Sequence, residues 1–150
     1  MSYLTARPSR DVVVAGHQQV TREWWENRRL GFSVYISPLV LHEAQDGDPE
    51  AARLRLAAIE AVQVLDVTEA AVVLGEVLVA RDVIARRSAA DALHISIAAV
   101  HGMDYLLTWN MSHIANAELR PQIEAVCRGE GYEPPILCTP EELMGNRNVE

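Results

Sequence analysis

The chain has 150 residues, 49% of them hydrophobic and 23% charged, which is the composition of one globular domain with a substantial core. All 13 basic residues are arginine and the formal net charge is -8, which excludes a non-specific polyanion binder, because neutralising phosphates needs a positive field. Charges interrupt every apolar run before the roughly 20 residues of a membrane-spanning helix. With two cysteines and no signal-peptide core, the sequence predicts one cytoplasmic domain over residues 1–150.

The predicted elements alternate between helices and strands. In the first half they are a helix over residues 11–30 capped by Ser9, a strand over 32–37, a helix over 38–45 capped by Ser37, a helix from Asp48–Pro49 through Ala61 and a strand over 62–67. In the second half they are a helix to Ala80 capped by Thr68, a helix to His101 capped by Ser88, a strand over 104–109, an amphipathic helix over 114–128, a strand over 134–138 and a helical turn after Thr139. This order predicts a parallel sheet covered by helices, with functional groups beyond the carboxyl ends of its strands.

Asp91 is an acid at the start of an otherwise small and apolar helix. The pattern Ser88-Ala89-Ala90-Asp91 is itself a capping box, so local evidence favours an Asp91 that only stabilises the helix terminus. Because the rest of the helix is apolar on most sides, Asp91 also lies at the border of the predicted core. A functional role therefore stays open.

Two further oxygen-bearing side chains follow predicted strands. Asn110 comes just after the strand that ends at Trp109, and Glu43 lies in the helix after the strand VYIS, although a solvated surface position is the ordinary explanation for any glutamate. Oxygen ligands without a Cys/His set at zinc spacing suit a hard cation such as Mg²⁺ or Mn²⁺. His42, His94 and His101 are accordingly interpreted as packed or capping side chains. The role of His113, proton transfer or contact with a phosphate or helix terminus, stays open.

In order, the segments ISPLVLHE, SAADALHISIAAVHGMDYLLTWN, HIANA and PPILCTPEELMG resemble the PIN domain family, in particular the VapC-like toxins of bacterial toxin–antitoxin systems. The resemblance implies an α/β fold with three layers (α/β/α) around a central parallel sheet, and a ribonuclease that depends on Mg²⁺ or Mn²⁺. The family's acidic positions fall on Glu43 and Asp91, and a further one falls on Asn110, whose amide can ligate a metal without adding charge. The family's first strand, with its acid, has no counterpart before the segment 2–8.

Three functions stay open on these grounds. The first is an RNA endonuclease of the toxin type, with Glu43, Asp91 and Asn110 at a catalytic metal site, weakened by the missing N-terminal acid. The second is a catalytically inactive PIN-like module that binds RNA or protein, and the third is an α/β domain for an unrelated small ligand. The resemblance implies an antitoxin partner. Because adjacent helical residues point about 100° apart, one of Trp24 and Trp25 is expected on the surface, next to Arg28 and Arg29, where it would support a homodimer.

Overall fold

The computed structural model describes residues 1–110, 114 and 116–145. This part of the chain is mostly helical, with seven α-helices and four short strands. The helices are α1 (Ser2–Thr5), α2 (Val12–Glu23), α3 (Pro38–Gln45), α4 (Pro49–Ile59), α5 (Glu69–Ala80), α6 (Ala89–Val100) and α7 (Arg120–Gly129). The strands are β1 (Tyr35–Ile36), β2 (Gln63–Val64), β3 (Tyr105–Leu107) and β4 (Ile136–Cys138). None of these helices has the length and apolar character needed to cross a membrane.

The backbone divides into two compact units, one formed by Met1–Val64 with the segment from Pro140 onward and the other by Leu65–Thr139. In the first unit β1 pairs with β2, and in the second β3 pairs with β4; both pairs are parallel. The predicted mixed α/β class and the parallel pairing are therefore confirmed. Across the described residues the strands form two sheets of two strands each. The prediction of one domain over residues 1–150 stays a prediction.

In the first unit, α2 begins one residue after its cap, Asp11. The Asp11 carboxylate accepts hydrogen bonds from the Val13 and Val14 amides at 2.9 and 3.0 Å. The prediction that Ser9 caps this helix was wrong: the Ser9 hydroxyl instead accepts a bond from the Asp11 amide at 3.1 Å. The aspartate satisfies two of the helix's unpaired N–H groups and its charge complements the helix dipole, which explains why Asp11 and not Ser9 caps α2.

The helical backbone continues past α2 with altered hydrogen bonding. A π-helical turn covers Trp24–Arg28 and a 3-10 turn covers Arg29–Gly31, so the helical run ends at the predicted glycine. Trp24 is 6% exposed and its ring lies 5.6 Å from that of Phe32. Trp25 is only half-buried, and the Arg29 guanidinium stacks 4.3 Å from its ring centre. As expected for adjacent helical positions, only one of the two tryptophans enters the core.

The second unit is organised around the close pair α5 and α6. Gly75 lies in the middle of α5, and an ideal Cβ built there would lie 3.7 Å from the Leu93 Cα, so α6 backbone is in van der Waals range of this position. The hydrophobic core of this unit comprises Leu74, Leu78, Ile84, Ala92, Ile95, Ala99, Ile114, Ile123, Val126, Cys127 and Leu137. Helix α7 begins at Arg120, later than the predicted residue 114, with Pro121 in the first turn, where a proline costs no hydrogen bond.

Candidate functional site

Asp91 lies in the first turn of α6 and is half-buried. The helix behind it belongs to the core: Ile95 is fully buried, and the Ser96 hydroxyl, also fully buried, donates to the Ala92 carbonyl at 2.7 Å. Ser88 is the N-cap, but its side chain makes no capping bond, and its amide donates to the Ala85 carbonyl at 2.8 Å. The sequence therefore places a carboxylate at the border of a core, on a rigid element.

Asn110 follows β3 and is held by its backbone. Parallel pairing extends past β3 because the Thr108 amide donates to the Cys138 carbonyl at 2.9 Å. The Asn110 amide donates to the Thr108 hydroxyl at 3.0 Å, and its carbonyl accepts from the Ile114 amide at 3.2 Å. Its side chain is half-buried. As predicted, an amide side chain stands just beyond the carboxyl end of a parallel strand.

Glu43 is exposed on α3, in the first unit. The predicted helix start is confirmed, with Ser37 as N-cap and Pro38 at the first position. The end of α3 is tied to α4 by Arg55, which donates to the Ala44 carbonyl at 3.1 Å and to the Asp46 carbonyl. Burial lowers the pKa of the Met1 amino group, and the nearby Glu43 carboxylate partly opposes this shift. The Met1 amino group thus lies within electrostatic reach of both Glu43 and Arg55.

The three predicted ligands are distributed over both units, with Glu43 in the first and Asp91 and Asn110 in the second. Residues 1–110, 114 and 116–145 contain no group of three or more His, Cys, Asp or Glu side chains that could hold a metal ion. Glu43, Asp91 and Asn110 include only two acids, one fewer than such a group requires. All three side chains still offer the oxygen donors that Mg²⁺ and Mn²⁺ prefer. A cation shared by these residues stays a prediction.

The histidines on α6 have the structural environments expected of them. His101 ends the helix, and its Nε2 lies 2.7 Å from the Asp66 carbonyl oxygen, which ties the end of α6 to the segment before α5. His94 is half-buried in the middle of the same helix. His113, for which proton transfer was considered, lies outside the described residues.

Two arginines precede the helix that carries Asp91. Arg86 and Arg87 are exposed in a 3-10 turn, Arg86–Ser88, that leads directly into α6. A guanidinium offers five N–H donors in a planar arrangement that matches a phosphate. The chain is acidic as a whole, so cationic contacts of this local kind are the ones a nucleic acid would require.

The structure also contains a cleft that the sequence did not indicate. Its volume is about 300 Å³, and its lining residues are Glu69, Ala70, Val73, Leu74, Glu130 and Tyr132. These residues come from the start of α5 and from the turn after α7, which are far apart in sequence. A glycine at position 131 favours a turn, but it does not indicate which helix that turn packs against.

Comparisons of the chain with protein-family models, with curated proteins and with solved structures gave no match.

Proposed function

We propose that the chain is a Mg²⁺- or Mn²⁺-dependent RNA endonuclease of the PIN, VapC-like toxin type, with the three-layer α/β/α arrangement of that family. The observation that carries the proposal is Asp91, a half-buried acid in the first turn of a helix whose following turns are core. A carboxylate at such a border offers oxygen atoms of the kind that a hard divalent cation prefers. Asn110, beyond a parallel strand, occupies the kind of position where α/β sheets bind ligands.

The proposed ligand set is Glu43, Asp91 and Asn110. A bound divalent cation lowers the pKa of a coordinated water and stabilises the charge that develops on a phosphate during hydrolysis. Glu43 and Asp91 would supply negative charge, and Asn110 would supply a neutral oxygen or orient the water. Arg86 and Arg87, exposed beside α6, would contact the RNA phosphates.

A second candidate is a catalytically inactive PIN-like module that binds RNA or protein. It is favoured because the part of the chain that the structure describes contains no group of three or more His, Cys, Asp or Glu side chains that could hold a metal ion. It is also favoured by Asn110, because an amide replaces an acid at a position where the resemblance implies a carboxylate. An incomplete acid set weakens metal binding and can leave the RNA-contacting surface unchanged.

Metal binding separates the two candidates. Calorimetric titration of the full chain with Mn²⁺ should show binding that Glu43→Gln or Asp91→Asn weakens by about tenfold or more, since each removes one charged ligand. Glu26→Gln and Asp104→Asn are matched controls, because both remove an exposed acid of the same type elsewhere. Cleavage of a single-stranded RNA should fall with the same two variants and not with the controls.

Two outcomes would reject the metal site. A wild-type chain that binds no Mn²⁺ but still binds RNA supports the inactive module. Mn²⁺ binding that is equal in the wild type, the two site variants and the controls would show that the cation is held by other residues. Circular dichroism of each variant establishes that a lost signal is not lost folding.

A further inference from the structure

Helix α5 presents apolar side chains on its solvent side as well as on its core side. Leu74 and Leu78 are buried in the core, whereas Val72 and Val73 are 40% and 48% exposed. At 100° per residue, the exposed positions of α5 fall on one continuous stripe. The members of this stripe, here called the α5 outer face, are Glu69, Val72, Val73, Glu76 and Ala80.

The 300 Å³ cleft borders this face. Val73 lines both the cleft and the outer face, and Ala70 and Leu74 form an apolar floor. The opposite wall is Tyr132, whose amide donates to the Cys127 carbonyl at 2.9 Å in the turn that ends α7. Gly131 permits this turn because its φ is +91°, a conformation that other residues rarely adopt. The cleft wall is therefore fixed by backbone bonds.

The rim of the cleft and face is acidic. Glu69 and Glu130 line the cleft, and Glu76 lies on the outer face. Glu130 already binds a guanidinium, since its carboxylate lies 3.0 Å from Arg81. None of the ion pairs among the described residues involves Glu69 or Glu76. The exposed valines Val72 and Val73 therefore lie between two acids, Glu69 and Glu76, that form no ion pair with a described residue. Such a surface is complementary to a partner that is both apolar and cationic.

We propose that the α5 outer face and its cleft bind a helical segment of a partner protein that carries an aliphatic stripe flanked by arginine or lysine. The aliphatic side chains would cover Val72 and Val73. Long cationic side chains would lay their methylene stems on this apolar surface and place their charges at Glu69 and Glu76. An acidic or purely polar segment would leave the valines exposed and add repulsion.

The cleft end of this surface is distant from Asp91. The Asp66 carbonyl, just before α5, contacts His101 at the end of α6, so the two helices run antiparallel and the start of α5 lies beside the end of α6. From Asp91 to His101 the helix rises roughly 15 Å. A partner seated in the cleft therefore lies away from the start of α6, whereas Glu76 and Ala80, beyond Gly75 on α5, lie nearer to it. Binding at α5 and the cleft uses none of the proposed metal ligands, so the proposal does not depend on the proposed ribonuclease function.

The test uses a fluorescein-labelled amphipathic peptide of about 15 residues, with leucine and alanine on one face and arginine on both sides of it. A matched peptide has every arginine replaced by glutamate. In anisotropy titrations with the full chain, the arginine peptide should saturate and the glutamate peptide should bind at least about tenfold more weakly. Raising the salt concentration should weaken the arginine peptide's binding, because the acidic rim is exposed.

Adding a positive charge to the α5 outer face tests whether the peptide binds there. Val73→Arg adds a positive charge between the acids and should weaken the arginine peptide by about tenfold or more. Val12→Arg, at an exposed valine of α2, adds the same charge elsewhere and should leave binding nearly unchanged. Glu69→Gln, which removes one rim charge without adding bulk, should give a smaller loss in the same direction. Absence of saturable binding, or equal losses with Val73→Arg and Val12→Arg, would overturn the proposal.

Discussion

Gly75 of α5 faces Ser96 of α6 so closely that an ideal Cβ on the glycine would lie 3.4 Å from the serine hydroxyl oxygen. The same Cβ would lie 3.8 Å from the Ala92 carbonyl carbon, so α6 backbone also bounds the space. A side chain larger than a methyl group has no free volume in that direction. The helix contact at this position thus leaves room for a methyl group but not for a larger side chain.

Replacing Gly75 by leucine should lower the free energy of unfolding by about 1–3 kcal/mol, because overpacking would force α5 and α6 apart. Gly16→Leu is the matched control, since Gly16 lies in α2 with no atom within 4 Å of an added Cβ. There the better helix propensity of leucine should raise stability by about 0.5–1 kcal/mol. Urea unfolding of both variants measures the two effects; equal midpoints would contradict this account of the helix contact.

The cap of α2 gives a second stability test. Asp11→Ala should cost about 1 kcal/mol, because it leaves the Val13 and Val14 amides without their carboxylate partner. Ser9→Ala removes only the hydroxyl that accepts from the Asp11 amide and should cost less. The assignment of the cap would be rejected by urea unfolding in which the serine variant is the less stable of the two.

Two helix starts were predictable because their signals are local, unlike the start of α7, which lies at Arg120 and not at residue 114. Pro38, which follows the N-cap Ser37, marks the start of α3 by its ring, and Thr68 marks the start of α5 by its capping side chain. Both starts are observed. Strand lengths were not predictable in the same way. The apolar segment 62–67 pairs only over Gln63–Val64, since pairing depends on the neighbouring strand and not on the segment's own residues.

The candidate site was predictable only in part, for the same reason. The sequence located Asp91 at the start of a core helix and Asn110 just after a strand, and both positions are observed. It could not indicate the cleft at Tyr132, because that cleft forms where the turn after α7 meets α5. Contacts between distant segments carry no local signal in one sequence.

The thiol of Cys127 should make stability depend on pH in the alkaline range. Burial raises its pKa from 9.0 to about 11. Between these values the unfolded thiol ionises while the folded thiol keeps its proton, so the stabilisation is complete below pH 9 and is lost as the pH rises towards 11. The loss should be roughly 2–3 kcal/mol.

The Cys127→Ala variant lacks the titrating thiol and keeps every other titratable group of the chain. Urea unfolding of the wild type and the variant across the same alkaline range should therefore give a stability difference that shrinks as the pH rises. Below pH 9 the variant should be less stable by a constant amount, because a buried side chain has been truncated. Two curves that stay parallel throughout would show that the Cys127 pKa is not shifted by folding.

The paired tryptophans should differ in what they stabilise. Trp24→Ala should cost about 3–5 kcal/mol, because it removes a buried ring that packs on Phe32. Trp24→Phe should cost less, since it keeps a ring and removes an indole N–H that is buried with no acceptor among the described residues. Trp25→Ala removes a half-buried ring and its Arg29 stack, which should cost about 1 kcal/mol in urea unfolding.

Self-association should depend on Trp25 more than on Trp24, which is the reverse of the order expected for stability. For the homodimer and the antitoxin complex that the PIN-type proposal implies, Trp25 and Arg29 offer a half-buried aromatic and cationic surface, in a composition enriched at interfaces. Trp25→Ala should therefore weaken self-association in sedimentation velocity while the chain stays folded, and Trp24→Phe should leave it unchanged. A wild-type chain that is monomeric at every concentration would reject the dimer. A Trp25→Ala chain that still dimerises as the wild type does would assign the interface to other residues.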